Sequence, residues 1–263
     1  MTAPLFHMAP GSLDEVQVGS PVLLDGAEGH HAATVMRLQA GEDVLLSDTQ
    51  NTLVTGVVLE SGQGRLMVEV VATRTEPQQV PELVLVQALA KDKRDLQAVE
   101  SATELGVDRV IPWQADRSVA RWKAGREQKK HAEWTGTAGS AAKQTRRIRV
   151  PVVEPMCTSR QYVQRIAADP NAAVLVLDEA DEVSLHDGLR RCGALQDGSP
   201  RPDELHLVVG PEGGISPEEL GRLRDAGAHP CRLGPHVLRS STAGPAALAA
   251  VQLLLGRWDL PLS

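Results

Sequence analysis

The chain has 263 residues, 42% of them hydrophobic, and a formal net charge of −7, which leaves room for one large domain or two small ones. Aromatic residues make up only 2% of it, so the core must be aliphatic and rings for base stacking are few. The N-terminus lacks the basic and apolar regions of a signal peptide, and no window approaches the roughly 18 apolar residues of a membrane span. These features predict a cytoplasmic protein that makes no membrane contact.

The cysteines and histidines do not form the patterns that bind metals. Cys157, Cys192 and Cys231 are odd in number, far apart and without a CxxC pair, which favours reduced thiols over a disulfide or zinc site. His30 and His31 are the closest histidine pair, and adjacent residues rarely chelate one metal. We therefore expect no metal site.

Basic residues concentrate in one segment of an otherwise acidic chain. Residues 117–149 hold ten Lys or Arg against two Glu, a net charge of +8, which leaves −15 for all other residues. A run of this kind is typical of a solvated helix face, and it is equally typical of a surface that binds a polyanion such as RNA. The charge pattern alone leaves both interpretations open.

Residues 1–73 show short apolar runs separated by glycine turns, and predict a small β-barrel. The runs are PVLL, EDVLLSD, LVTGVVLE and RLMVEVVAT. Residues 74–81 are polar with two prolines, a composition typical of a linker. We place a domain boundary there, and residues 82–263 form the second domain.

The second domain alternates strand and helix patterns, which predicts an α/β fold with a mostly parallel sheet. LVLVQALA is a near-continuous apolar run, as in a strand covered on both faces. One helix is marked by Ser216 as N-cap, Pro217 at its first position and Gly227 beyond its end. The remaining predicted strands are VDRVIPW, AAVLVLDE, LHLVVG and HPCRLG, and a helix rich in Ala and Leu closes the chain.

Three predicted strand ends carry unusual residues: LVLDEA (175–180), VVGPEGG (208–214) and LGPHVLRSSTAG (233–244). In open α/β sheets ligands bind beyond the carboxyl ends of strands, and glycines let the backbone approach them closely. GPEGG lacks the Lys and Ser/Thr of a Walker loop and the spacing of GxGxxG, and Glu212 would repel phosphate. The pattern indicates a site for a ligand that is neutral or positively charged, with a simple tight turn as the alternative.

The segments VVGPEGGISPEEL and RLGPHVLRSSTA resemble the RsmE family of the SPOUT superfamily. Members of this family methylate N3 of a uridine in the 16S ribosomal RNA of the small subunit, using S-adenosyl-L-methionine. Three further segments support the resemblance: EGHHAATVMRLQAGEDVLLSD is similar to the family's PUA-like barrel, and ATELGVDRVIPWQADRSV and AAKQTRRIRVPVV to parts of its methyltransferase domain. The resemblance covers nearly the whole chain.

The resemblance implies a SPOUT α/β domain with a deep trefoil knot, preceded by a PUA-like β-barrel with an accessory role in RNA binding. It also implies S-adenosyl-L-methionine as cofactor, 16S rRNA or the small ribosomal subunit as substrate, and a homodimer formed through the apolar final helix, residues 245–255. Knots are otherwise nearly absent from proteins, so no periodicity argument predicts one.

The resemblance also implies roles for individual residues. Arg239 is the catalytic candidate, a cation that stabilises the anion formed when N3 loses its proton; a structural salt bridge is the alternative. Glu212 either binds a ribose hydroxyl or fixes its loop. The cofactor-binding candidates are Leu177, Gly210, Pro211, Glu212, Gly213, Gly214, Leu233, Gly234, Val237, Leu238, Ser240 and Thr242. The RNA-binding candidates are Arg117, Arg121, Lys143, Arg146, Arg147 and Arg149.

The chain departs from the family's pattern at two places. Many relatives carry a Glu where this chain has Ser241, so no carboxylate is available there as a general base. Relatives often show Gln-Lys where this chain has Glu100 and Ser101, which removes a possible RNA contact. These departures keep a non-catalytic RNA-binding ribosome-assembly factor as an alternative. A nucleotide-binding enzyme of Rossmann type predicts GxGxxG after the first strand of the domain, and the sequence has none there.

Overall fold

The computed structural model describes residues 3–195 and 201–259, and the chain divides into two compact units. The units consist of Met1–Gln78 with Ala142–Val150, and of Gln79–Ala141 with Pro151–Ser263. The assignment of residues 142–150 differs from the sequence prediction, which placed them in the second domain.

The first unit is a five-stranded sheet in the order β1-β3-β4-β5-β2. Its strands are β1 Leu5–His7, β2 Pro21–Leu24, β3 Asp43–Ser47, β4 Thr52–Gly62 and β5 Arg65–Thr75. Alternate residues of β4 are buried, because a strand with one face on a core buries every second side chain. A Cβ at Gly56 would lie 2.3 Å from the Val68 side chain, so only glycine fits at this position of β4, where its pairing with β5 shifts register.

Two elements of the first unit escaped the sequence prediction. β1 is only three residues long and pairs with β3 in parallel. A short helix α1, Gly26–His30, continues into a π-helical turn at His31–Val35. Both are too short for a periodic pattern to develop.

Residues 142–150 belong to the first unit through hydrogen bonds to the end of β3 and to the turn that follows it. The Ser47 hydroxyl donates to the Ile148 carbonyl at 2.6 Å, and the Val150 N–H donates to the Thr49 carbonyl at 3.1 Å. The segment brings four cations to a unit whose first 73 residues carry a net charge of −7, and the whole unit has a net charge of −3. The segment therefore partly neutralises the negative charge of the first unit.

The second unit is built on a seven-stranded sheet. Its strands are β6 Glu82–Ala88, β7 Arg109–Gln114, β8 Val152–Val153, β9 Cys157–Thr158, β10 Ala172–Leu177, β11 Glu204–Val209 and β12 His229–Cys231. The order is β12-β10-β11-β6-β7-β8, with β9 also paired to β7, and all recorded pairings are parallel. The predicted parallel sheet is confirmed, although β8 and β9, of two residues each, were not predicted.

Helices cover the sheet of the second unit. They are α2 Arg94–Glu104, α3 Glu127–Gln144, α4 Ser159–Ala168, α5 Leu185–Arg191, α6 Pro217–Asp225 and α7 Ser240–Leu254. α3 ends within the residues assigned to the first unit, and α5 was not predicted. At α6 the predicted cap is confirmed, since the Ser216 hydroxyl accepts a hydrogen bond from the Glu219 N–H at 3.1 Å.

A partly buried ionic cluster lies at the start of β11. Glu204 accepts hydrogen bonds from His206 Nε2 at 2.8 Å and from Arg109 Nη2 at 2.6 Å. The hydrogen bond from His206, followed by those from Arg109, holds the pKa of Glu204 down to about 2, against the desolvation that would raise it. The same Arg109 also pairs with Glu82 and Glu154. This cluster ties together strands β6, β7 and β11 at the edge opposite their carboxyl ends.

The three cysteines are free thiols, as predicted. Burial raises the pKa of both Cys157 and Cys231 to about 12. Within the described residues, no group of three or more His, Cys, Asp or Glu is arranged to hold a metal. Among those residues there is also no helix with the length and apolar character needed to cross a membrane.

Candidate active site

A cavity of about 300 Å³ lies at the carboxyl ends of β10, β11 and β12. These strands are parallel neighbours, so the loops that follow them meet at one edge of the sheet. Eleven residues predicted for the cofactor or for catalysis line the cavity: Leu177, Gly210, Pro211, Glu212, Gly214, Leu233, Gly234, Val237, Leu238, Arg239 and Ser240. Residues up to 63 positions apart in the sequence therefore form one site.

Two predicted cofactor residues do not line this cavity. Gly213 faces the loop after β7, where its carbonyl accepts a hydrogen bond from Arg117 Nη1 at 3.2 Å. A Cβ at Gly213 would lie 3.4 Å from the Cβ of Arg117. Thr242 is exposed in the first turn of α7, and its N–H donates to the Arg239 carbonyl at 2.8 Å. Gly213 thus contacts the loop after β7 instead of the cavity, and Thr242 forms part of the first turn of α7.

Eight further residues line the cavity and were not predicted. Four of them are charged, namely Arg94, Asp178, Glu179 and Arg232, and the others are Val209, Ile215, His236 and Ala243. Asp178 and Glu179 directly follow β10 within the quoted LVLDEA segment, so their position was available from the sequence. Arg94 lies more than 80 residues before the other lining positions, and no local pattern connects it with them.

The GPEGG loop after β11 is held in a tight conformation. Gly214 has φ +68°, a backbone angle that favours glycine, and the Gly214 N–H donates to the Pro211 carbonyl at 2.9 Å. A Cβ at Gly210 would lie 2.9 Å from Ile215 Cγ1, so the first glycine is required for the loop to fold back on itself. The glycines therefore shape the loop and leave its inner surface open to the cavity.

Glu212 fixes the GPEGG loop to a neighbouring segment. Its Oε1 accepts a hydrogen bond from the Lys91 N–H at 3.0 Å and lies 4.0 Å from Arg94 Nη1. These contacts join the loop after β11 to the loop after β6, its neighbour in the sheet. Of the two roles considered for Glu212, the contacts support loop fixation.

Ser240 holds the GPEGG loop to the core of the second unit. Its hydroxyl accepts a hydrogen bond from Gln87 Nε2 at 2.9 Å and donates to the Gly210 carbonyl at 3.2 Å. Gln87 is completely buried at the end of β6. Ser241, the position where many relatives have a Glu, is also buried, and it is not among the residues that line the cavity. In this chain Ser241 therefore contributes no group to the cavity.

The loop 233–239 offers free hydrogen-bonding groups to the cavity. Within the described residues, the backbone N–H groups of Leu233, Gly234, Val237 and Leu238 have no hydrogen-bond partner. Val237 is 73% exposed, and such an apolar side chain beside free donors is typical of a site that closes over a ligand. Polar backbone groups that folding leaves free are available to recognise the edges of a ligand.

Arg239 projects from this loop as the N-cap residue of α7. It lines the cavity and is exposed, and no carboxylate in the described parts of the chain lies within 4 Å of its guanidinium. The alternative reading of Arg239 as one half of a structural salt bridge therefore finds no partner. Its charge is available to a ligand.

Behind the site, a buried carboxylate positions the loop after β7. Glu219 of α6 is completely buried, and its Oε1 accepts hydrogen bonds from the Asp116 N–H at 2.9 Å and from the Ser159 hydroxyl. Its Oε2 is buried without a partner among the described residues. Because Arg117 follows Asp116 directly, Glu219 sets the position from which Arg117 reaches the Gly213 carbonyl.

The predicted RNA-binding residues fall into two groups. Arg117 and Arg121 belong to the second unit and are exposed. The other four, Lys143, Arg146, Arg147 and Arg149, belong to the first unit.

Among these four residues, Lys143 and Arg149 are already engaged by protein groups. Lys143 pairs with Glu28 at 2.5 Å and lies 5.1 Å from the centre of the Phe6 ring, and Arg149 donates to the Glu76 carbonyl at 2.8 Å. Arg146 is exposed. The four residues are thus not equivalent, and Arg146 is the most accessible to a polyanion.

Comparisons with known sequences find relatives along nearly the whole chain. A family model described as an RNA methyltransferase domain matches residues 76–252, and one described as an RNA methyltransferase PUA domain matches residues 24–71. A ribosomal RNA small subunit methyltransferase E from Mycobacterium bovis is 44% identical over 247 residues, covering 93% of this chain and 91% of the relative. The corresponding protein from Bacillus subtilis is 29% identical over 229 residues, covering 87% and 88%.

Comparisons with solved structures find the same architecture. A protein from Legionella pneumophila, solved with bound S-adenosylmethionine, aligns with a TM-score of 0.79 and 26% identity over 96% of this chain and 98% of that one. A ribosomal RNA small subunit methyltransferase E from Neisseria gonorrhoeae aligns with a TM-score of 0.81 and 24% identity over the same shares. The predicted fold class is confirmed: a SPOUT α/β methyltransferase domain preceded by a small PUA-like β-barrel.

Proposed function

Because the chain belongs to the ribosomal RNA small subunit methyltransferase E (RsmE) family, we propose that it methylates N3 of a uridine in 16S ribosomal RNA. The methyl donor is S-adenosylmethionine, the ligand present in two of the similar structures. The observation that carries the proposal is the cavity at the carboxyl ends of β10, β11 and β12, whose lining contains the family's motif residues. The substrate places the protein in the cytoplasm.

The cavity fits this cofactor. Free backbone N–H groups at residues 233–238 suit the polar edge of adenine, and Leu177 and Leu233 provide apolar contacts for its faces. Asp178 and Glu179 give the site carboxylates that favour a positively charged sulfonium. When bound, the cofactor supplies an electrophilic methyl group.

Arg239 activates the nucleophile in this proposal. Uridine N3 carries a proton at neutral pH and has no free lone pair until that proton leaves. The free guanidinium of Arg239, placed beside O2 or O4 of the base, stabilises the anion that deprotonation creates. Its exposure at the cavity edge and its lack of an ion pair among the described residues support this role.

The proposal includes RNA contacts, a dimer and a knot. The predicted RNA-binding residues bind phosphate groups and position the RNA: Arg117, Arg121, Lys143, Arg146, Arg147 and Arg149. The chain forms a homodimer through α7, where Leu253 and Leu254 are 58% and 40% exposed. The trefoil knot implied by the family resemblance stays a prediction.

Variants at Arg239 test the proposed chemistry. We expect Arg239→Ala to lower kcat by roughly 10²–10³-fold, as the loss of one group that stabilises charge in a transition state does. Arg239→Lys keeps the charge and should recover part of that loss. The affinity for S-adenosylmethionine, measured by calorimetry, should stay within about threefold for both variants, a change of under 1 kcal/mol. An Arg239→Ala enzyme with wild-type kcat on small subunits would remove Arg239 from the mechanism.

A further inference from the structure

The loop between β6 and α2 adopts a strained conformation beside the cavity. Asp92 and Lys93 are consecutive and have φ +55° and +58°, the left-handed region that non-glycine residues rarely enter. Strain of this kind persists only where the surrounding structure enforces it, and it is concentrated at functional sites. The family motifs quoted for this chain assign no role to this loop.

Four hydrogen bonds hold this loop in place. Glu212 Oε1 accepts from the Lys91 N–H at 3.0 Å, and the Arg94 N–H donates to the Lys91 carbonyl at 3.1 Å. The buried Asp95 accepts from the N–H groups of Ala90 at 3.4 Å and Leu96 at 2.8 Å. All of these bonds are donated by backbone N–H groups of residues 90–96, so the Lys side chains take no part in maintaining the shape of the loop.

The loop carries positive charge to the edge of the cavity. Arg94 lines the cavity, and Lys91 and Lys93 are exposed. Neither lysine has a carboxylate within 4 Å of its ammonium group in the described parts of the chain. Asp92 is the loop's own carboxylate, so residues 91–94 have a net charge of +2 in a chain whose net charge is −7.

We propose that Lys91 and Lys93, together called the β6–α2 basic edge, bind phosphate groups of the RNA strand next to the target nucleotide. The inference rests on the proposed function and extends it to a site that the sequence motifs did not indicate. Lysine ammonium groups on flexible stems suit phosphate oxygens as point charges, and a fixed backbone presents them at a constant distance from the cavity. Through Glu212 the same loop is joined to the GPEGG loop, so the RNA strand is positioned relative to the cofactor site.

The double variant Lys91→Ala/Lys93→Ala tests this inference. Both alanines retain a Cβ and the backbone N–H, so the loop's hydrogen bonds and its φ angles are preserved. The matched control is Arg160→Ala/Arg191→Ala, which removes two exposed cations of the same unit outside every proposed RNA contact. The probe is the small ribosomal subunit from a strain that lacks the gene, with binding measured from 50 to 300 mM salt.

We expect the lysine double variant to bind subunits roughly 25-fold more weakly at 0.1 M salt, because each single-strand phosphate contact contributes about 0.7 to the salt slope. The slope of log affinity against log salt concentration should become shallower by about 1.4. Affinity for S-adenosylmethionine and the midpoint of thermal unfolding should stay at wild-type values. The control variant should bind subunits like the wild type.

The outcomes separate this inference from the proposed function. A wild-type protein that methylates subunits, together with a lysine variant that binds them with unchanged affinity and slope, would overturn the role of the basic edge only. An equal loss in both double variants would overturn it as well, since the effect would then reflect overall charge. A wild-type protein that neither binds nor methylates subunits would overturn the proposed function and this inference together.

Discussion

Replacing Ser240 by alanine removes the contact that ties the GPEGG loop to the core. The Ser240 hydroxyl is the one group that joins the Gln87 amide to the Gly210 carbonyl, at 2.9 and 3.2 Å. Its loss leaves the buried Gln87 Nε2 with the Ala88 carbonyl at 3.2 Å as its recorded acceptor. Gln87 Oε1 is already buried without a partner among the described residues, so this amide has no spare hydrogen bonds.

The cost of Ser240→Ala follows from these contacts. A buried polar group that loses its partner costs about 1–3 kcal/mol of stability. For a unit of this size each kcal/mol lowers Tm by about 2–4 °C, so we expect a decrease of about 2–12 °C. The less well positioned loop should also lower the binding free energy for S-adenosylmethionine by about 1 kcal/mol, which makes binding roughly fivefold weaker.

Thermal unfolding and calorimetric titration with S-adenosylmethionine measure both effects. The matched control is Ser241→Ala, because Ser241 is the next residue, is equally buried and makes no side-chain hydrogen bond among the described residues. The control should change Tm by less than about 2 °C and leave cofactor affinity unchanged. If Ser240→Ala matched its control in both assays, the proposed tether between α7 and the GPEGG loop would be refuted.

Three further predictions concern residues outside the cavity. Glu219→Ala removes the acceptor of the buried Ser159 hydroxyl and of the Asp116 N–H, and should cost about 1–3 kcal/mol in urea unfolding. Glu218→Ala, at the exposed neighbouring position, should cost much less, and similar values would contradict the buried network. Because the pKa of Glu204 in the folded protein is lowered to about 2, its stabilising contribution is complete above pH 4.5 and should be lost as the pH falls from 4.5 toward 2. In urea unfolding measured over this pH range, the free energy of unfolding of a Glu204→Gln variant should fall less steeply with acid than that of the wild type. The pKa of Cys157 and of Cys231 is raised from 9.0 to about 12, so at pH 8 the fraction present as thiolate is about 1000-fold smaller than in the unfolded chain. Both thiols should therefore react with iodoacetamide about 1000-fold more slowly in the folded protein than in the protein unfolded in guanidinium. Equal rates would show that these thiols are accessible.

The sequence was sufficient for the central features of the second unit. Near-continuous apolar runs such as residues 83–88 identified strands buried on both faces, and glycine with proline at their ends located the loops of the cavity. Ser216 and Pro217 predicted the start of α6 correctly because capping is a local interaction between residues three apart. Local physics therefore determines the elements and the edge of the sheet at which the site lies.

Long-range contacts account for what the sequence did not predict. Residues 142–150 belong to the first unit because Ile148 and Val150 bond to backbone and hydroxyl groups about 100 positions earlier, which no local pattern shows. Arg94 reaches the cavity only because β6 lies beside β11 in the sheet. The contacts of Lys143 with Glu28 and of Arg149 with the Glu76 carbonyl were not predictable for the same reason, since they join residues more than 70 positions apart.

The central claim is that this chain methylates a uridine of the small ribosomal subunit at N3. The most direct measurement is the transfer of tritium from labelled S-adenosylmethionine to small subunits from a strain lacking the gene, followed by nucleoside analysis. The account predicts label in 3-methyluridine with the wild-type protein, and at least a hundredfold less with Arg239→Ala. Label in a different nucleoside, or no transfer to subunits or naked RNA by a protein that binds the cofactor, would contradict it.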